Sequence, residues 1–123
     1  MICFISGGIT NVPDYENNFL EAVYQLKTLG FNAFDPSAMF KTAQKHGACF
    51  KTDQWMEICC AVIKQCDAVY FLNNWESSNG AGKEHAFAER LKIPMLYQKN
   101  FSAYRAMELK PEELINFAKA NAL

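Results

Sequence analysis

Short apolar runs alternate with longer stretches of helical spacing along this chain, and the alternation predicts a fold. Residues 2–6, ICFIS, are a brief apolar run closed by Gly7 and Gly8, the pattern of a buried strand ending in a tight loop. Pro13 and Asp14 then open a segment in which Phe19, Ala22, Val23, Leu26 and Leu29 recur at helical spacing until Gly30, which predicts a helix. Phe31 to Asp35 reads as a second strand stopped by Pro36, because proline disfavours helix at the residue before it. Residues 37–52 are polar and mixed and predict no element. Trp55 to Ile63 predicts a helix with Ile58, Cys59, Val62 and Ile63 inward, and AVYFL (68–72) is the clearest buried strand. The NNWESSNG loop leads to a helix ending near Leu91, a strand at Ile93 to Tyr97 containing Pro94, and a last helix from Pro111 to Ala120. Residues 98–110 are left unassigned.

Strands alternating with helices imply parallel pairing, since each crossover helix returns the chain to the same end of the sheet. The expected fold is therefore α/β: a doubly wound, Rossmann- or flavodoxin-like three-layer sandwich with four or five parallel strands, built as one domain over residues 1–123. Ligands of such sheets bind beyond the carboxyl ends of the strands at the switch point. Three loops are expected there, Ser6 to Val12, Asp35 to Met39 and Asn73 to Gly80.

Composition narrows the chemistry. With 123 residues, 50% apolar and 20% charged, the chain can bury a sizeable core and is not of disordered type. The net charge of -1 is mixed along the sequence, so no basic stripe for nucleic acid is present and a small-molecule ligand is expected. Five cysteines (Cys3, Cys49, Cys59, Cys60, Cys66) form an odd set without CxxC spacing, and His46 and His85 complete no zinc pattern, so reduced thiols and no metal site are expected. The start MICFIS lacks the features of a signal peptide, and no run approaches the roughly 20 apolar residues of a spanning helix; a cytoplasmic protein that does not enter the membrane is expected.

The stretch SNGAGKEH (78–85) holds the most concentrated candidate chemistry. It is not a Walker loop: five before Gly82 stands Ser77, and Glu84 follows Lys83, where GxxxxGK and a hydroxyl are needed. SGGITN after the first strand lacks the third glycine of a dinucleotide fingerprint, and Asp35 alone is weak support for a ribose partner. One reading is a capped helix start, with Ser78 or Asn79 as cap and a glutamate favoured by the macrodipole. The other notes that Ala81, Glu84, His85, Ala88 and Leu91 share a helix face, so Glu84 would lie among the residues that pack on the sheet and point into the crevice. A buried carboxylate is costly unless hydrogen-bonded, which makes it a candidate functional group. Both readings stay open on residue pattern alone.

SGGITN after strand one, the DP after strand two, CDAVYFLNNWESSNGAGKEHAFA (66–88) and the following KIPMLY together resemble the nucleoside 2-deoxyribosyltransferase-like superfamily, over roughly residues 2–97. The resemblance implies that Glu84 is a nucleophile that attacks the anomeric carbon of a (deoxy)ribosyl group, expels the base and forms a glycosyl-enzyme resolved by water or a second base, as in retaining glycosidases. Members that hydrolyse deoxynucleoside 5'-monophosphates carry a serine six before the glutamate, here Ser78, so the resemblance favours a nucleotide. It further implies ligand contacts from Ser6, Gly7, Gly8, Ile9, Thr10, Cys59, Ser78 and Gly80, a pocket lined by Trp75, a homodimer or larger homo-oligomer, and no cofactor. Two departures stand out. Cys3 occupies the position matched to a strand-one tyrosine near the nucleophile, and Cys59 that of an aspartate that handles the base or its proton, a role worth roughly 10²–10⁴-fold in rate.

Other residues carry plainer alternatives. Trp75 can stack on a base or simply pack; Asp67 is expected to be a turn or capping residue; His85 is expected at a subunit contact; Cys59 and Cys60 are expected to pack as small apolar groups; Asp35 meets a sugar hydroxyl or caps the next segment. The resulting expectation is an N-glycosidase acting on a (deoxy)ribonucleoside 5'-monophosphate through Glu84. Its alternatives are a non-catalytic nucleotide or nucleotide-signal binding protein that has lost its proton machinery, and a nucleoside deoxyribosyltransferase.

Overall fold

The structure is a computed structural model that describes residues 1–121. Four strands, β1 (Ile2–Ser6), β2 (Asn32–Phe34), β3 (Ala68–Phe71) and β4 (Met95–Tyr97), form one parallel sheet in the order β2-β1-β3-β4. Among the described residues six α-helices flank it: α1 (Tyr15–Thr28), α2 (Pro36–Lys45), α3 (Thr52–Ile63), α4 (Asn79–Arg90), α5 (Phe101–Met107) and α6 (Pro111–Ala120). This is the expected α/β three-layer sandwich, with four strands. No helix among these residues is long and apolar enough to cross a membrane.

Side-chain alternation along the strands sorts the core into two layers. Cys3 and Ile5 of β1, with Tyr70 of β3 and Leu96 of β4, face Phe19, Ala22 and Leu26 of α1 and Leu114 and Ile115 of α6. Phe4 of β1, with Val69 and Phe71 of β3, faces Cys59 and Ile63 of α3 and Ala88 of α4. The strands β1 and β3 are buried on both sides, which is why they read as unbroken apolar runs. Asp67 hooks the sheet together at its amino end, its carboxylate accepting the Ile2 N–H at 2.8 Å while its own N–H donates to the Ile2 carbonyl. Its expected structural role is what the geometry gives it.

Departures from the expected elements have local causes. Pro36 not only stops β2 but opens α2 at its first turn, and Asp35 caps that helix by accepting the Ser37 N–H at 2.9 Å. Asp35 is thus a capping residue. Only Pro36 and Ser37 of α2 are fully buried, and its apolar face, Pro36, Met39, Phe40 and Ala43 at i, i+3, i+4 and i+7, is short and set among polar residues that hid it in the sequence. Likewise α5 buries only Tyr104, and Glu108 at φ +53° ends it in the left-handed region. Leu91, expected inward, terminates α4 and is exposed. Asp14 precedes α1 at φ +59° without a side-chain capping bond.

The crossing from β1 into its loop tolerates no side chain at Gly7: a Cβ there would lie 2.5 Å from Leu72 Cδ1 and 2.9 Å from its Cβ. Leu72 is itself buried in the core and cannot swing clear. The Gly7→Ala protein is expected to lose about 1–3 kcal/mol, the usual cost of overpacking. An unchanged urea midpoint would show instead that the loop relaxes freely.

Candidate functional site

Strands β1 and β3 are neighbours, but β1 leads into α1 on one face of the sheet and β3 into α4 on the other. Their carboxyl ends therefore part at the switch point. A cavity of about 440 Å³ opens there, within the range of roughly 300–1,000 Å³ typical of small-molecule sites. The β1 loop supplies Gly7, Ile9 and Thr10 to its wall, α2 supplies Phe40, α3 supplies Thr52, Trp55, Met56 and Cys59, and the start of α4 supplies Ser78, Gly80 and Glu84.

Helix α4 sets Glu84 in place. Ser78 is its N-cap, the hydroxyl accepting the Ala81 N–H at 3.2 Å. Glu84 lies on the inward face with Ala81 and Ala88 and is only 7% exposed. Its Oε1 accepts a hydrogen bond from Ser6 Oγ at 2.7 Å, and the Cys59 thiol, from α3, stands beside it in the cavity wall. No lysine or arginine lines the cavity, so nothing cationic offsets the lost hydration. Burial pushes the Glu84 carboxyl up to about 7, with Ser6 and Cys59 working against the rise. Burial, followed by the neighbouring Glu84 charge, holds the Cys59 thiol well above the ordinary thiol range. Near neutral pH the site thus contains a carboxyl group poised between its two forms and a thiol that stays protonated.

The structure gathers Gly7, Ile9, Thr10, Cys59, Ser78, Gly80 and Glu84 around one cavity, with Ser6 behind Glu84 as its anchor. It does not bring Gly8 or Trp75 to the cavity wall. The Gly8 N–H is used inside the protein, donating to Asn74 Oδ1 at 3.0 Å. Trp75 does not line the pocket, contrary to expectation, because it stacks on His85, and His85, expected on the same face of α4 as Glu84, is turned instead towards Tyr97 and away from the cavity. The two rings are 4.0 Å apart and inclined by 9°, and Phe71 lies 5.5 Å from the indole. His85 is satisfied within the chain, its Nε2 lying 2.8 Å from the Tyr97 hydroxyl.

Cys3, matched by the resemblance to a strand-one tyrosine, does not line the cavity. It sits in the opposite core layer from Cys59 and three residues before Ser6, about 10 Å along the strand. Strand parity gives the Glu84 side of β1 to Phe4 and Ser6 instead. Sequence reasoning missed Phe40, Trp55 and Met56. For Trp55 a signal existed: it precedes Cys59 by four residues and so shares its helix face.

Residues 1–97 match the model of a family described as "Domain of unknown function (DUF4406)". That span contains all four strands and every residue that lines the cavity. No curated protein and no solved structure matches the chain.

The raised Glu84 carboxyl has a thermodynamic signature. Between the ordinary carboxyl range and about pH 7 the folded protein holds a proton at Glu84 that the unfolded chain has lost, so the Glu84 contribution to stability falls as pH rises through this window and is constant above it. The stability of Glu84→Gln relative to wild type is therefore expected to rise between pH 4 and pH 8 by on the order of 3 kcal/mol. Urea unfolding of both proteins across that range measures it; a difference independent of pH would contradict the assigned ionisation.

Proposed function

We propose that this chain, which belongs to the DUF4406 family, is an N-glycosidase that cleaves the base–sugar bond of a (deoxy)ribonucleoside 5'-monophosphate with Glu84 as nucleophile. The observation that carries the reading is a nearly buried glutamate, anchored by Ser6 and lacking a cationic partner, in the wall of the switch-point cavity. A carboxylate raised towards neutrality is a stronger base and nucleophile than an exposed one, and it is ionised in a usable fraction at physiological pH. The resemblance of the motifs around Ser6, Trp75 and Glu84 to the nucleoside 2-deoxyribosyltransferase-like superfamily supports the same assignment.

In this mechanism the Glu84 carboxylate attacks the anomeric carbon as the bond to the base nitrogen breaks, the electron pair leaving with the base, which takes up a proton. Water then attacks the same carbon, releases the sugar and restores the carboxylate. Ser6 holds Oε1, so the rotamer of the nucleophile is set before the ligand arrives. The Gly7 to Thr10 loop, Ser78 and the first amides of α4 receive the sugar and phosphate without a charged side chain. Transfer to a second base would share the first half of this sequence and differ only in what resolves the intermediate. The same resemblance makes a cytoplasmic homodimer or larger assembly, with a neighbouring subunit covering the site, part of the proposal.

A second reading, a nucleotide-binding protein without turnover, is favoured by one observation. Besides Glu84 the only titratable group on the cavity wall is Cys59, a thiol too weakly acidic to protonate a leaving base.

Chromatography of free base released from a panel of nucleosides and their 5'-monophosphates separates the two. Wild-type protein is expected to release base from a 5'-monophosphate, at a rate that rises with pH through about 7 as Glu84 ionises. The Glu84→Gln protein is expected to be slower by roughly 10³-fold or more, as for loss of a covalent nucleophile. Release by both proteins alike would remove Glu84 from the reaction, and calorimetric binding without release from any compound would establish the second reading.

A further inference from the structure

The Glu84 cavity has one wall that the proposed chemistry leaves without a role. Helix α3 presents Thr52, Trp55, Met56 and Cys59 to the cavity, a stripe at i, i+3, i+4 and i+7. Its far end stands beside the nucleophile, Cys59 and Glu84 lining the same cavity. One helical turn back along the same face, about 5–6 Å away, stands the indole of Trp55. The ring is set at a fixed angle by its neighbours: Phe40 of α2 meets it edge-on at 5.4 Å and 67°, and Phe50 lies roughly parallel at 6.1 Å and 21°. Phe40 joins it in lining the cavity. A two-ring aromatic surface held by two other aromatic groups beside open space is a stacking platform.

From this arrangement we infer that Trp55 is the specificity-determining residue that receives the heterocyclic base, and that the site prefers a purine. The inference rests on the nucleotide reading above. A sugar whose anomeric carbon faces Glu84 carries its base on the side away from the attacking carboxylate, and Trp55 and Phe40 are the aromatic groups of the cavity wall that can receive it. A bicyclic purine overlaps the indole more completely than a single pyrimidine ring does. The Thr52 hydroxyl, at the end of the same stripe, is available to the polar edge of the base. Trp75, the tryptophan whose sequence position pointed to this task, is occupied by His85 away from the cavity and leaves it to Trp55.

The test measures binding calorimetrically in the Glu84→Gln background, where turnover does not interfere, with adenosine 5'-monophosphate, uridine 5'-monophosphate and ribose 5-phosphate as probes. Adenosine 5'-monophosphate is expected to bind more tightly than uridine 5'-monophosphate. Adding Trp55→Ala is expected to weaken adenosine 5'-monophosphate by about 5- to 150-fold, the range for loss of one base–aromatic stack, and to leave ribose 5-phosphate unchanged within about twofold. Trp55→Phe, which keeps a ring in place, is expected to recover most of the loss and guards against a folding defect in the alanine protein. Equal weakening of the nucleotide and the base-free sugar phosphate, or no weakening of either, would overturn the platform. Nucleotide affinity that depends on Trp55 in a wild-type protein unable to release base would support the platform and remove only the glycosidase. Failure of all three compounds to bind would remove both.

Discussion

One hydrogen bond, from Ser6 Oγ to Glu84 Oε1 at 2.7 Å, ties the end of the central strand to the inner face of the helix that follows its neighbour. The two residues are 78 positions apart in sequence, and the site exists only because the parallel β1–β3 pairing brings their elements together. Ser6 is fully buried at the last position of β1, where its hydroxyl also needs a partner. The bond satisfies both groups at once. It is therefore both a structural element of the core and the anchor of the buried Glu84 carboxyl group.

The same bond does not cancel the cost of burial. A carboxylate stripped of water and given a neutral hydroxyl donor remains under-solvated relative to one paired with a guanidinium or ammonium group. The cavity supplies no such cation, and the Glu84 carboxyl accordingly rises to about 7 despite Ser6 and Cys59. A fold indifferent to function could remove this burden by placing an apolar residue at position 84, as it does at Ala81 and Ala88. The retained carboxyl group is a local destabilisation that the rest of the core offsets.

The aromatic residues divide into two sets on either side of α4. Trp75, His85, Phe71 and Tyr97 form a closed cluster in which the polar atoms of the histidine and tyrosine meet each other, and this cluster seats the turn that leads to Ser78. Trp55 and Phe40 form an open pair on the cavity side. Residues 36–63 of α2 and α3 thus do more than connect β2 to β3: they wall the cavity opposite the β1 loop.

What the sequence determined by itself was the alternation of strands and helices, the parallel sheet, and the inward placement of Glu84. These follow from local periodicity: apolar runs at ICFIS and AVYFL, and the spacing of Ala81, Glu84 and Ala88, depend only on which neighbours share a face. The capping roles of Ser78 and Asp35 were legible for the same reason. Helices α2 and α5 were not: the apolar positions of α2, Pro36, Met39, Phe40 and Ala43, are set among polar residues, and α5 is one short helix that buries only Tyr104. Tertiary structure alone decided the rest. Strand parity sent Cys3 into the layer opposite Ser6, α4 turned Trp75 towards His85 and away from the cavity, and the packing of α2 and α3 placed Trp55 and Phe40 in its wall. Each of those outcomes depends on how separate elements dock, and the side-chain pattern within one element carries no record of which surface it will meet.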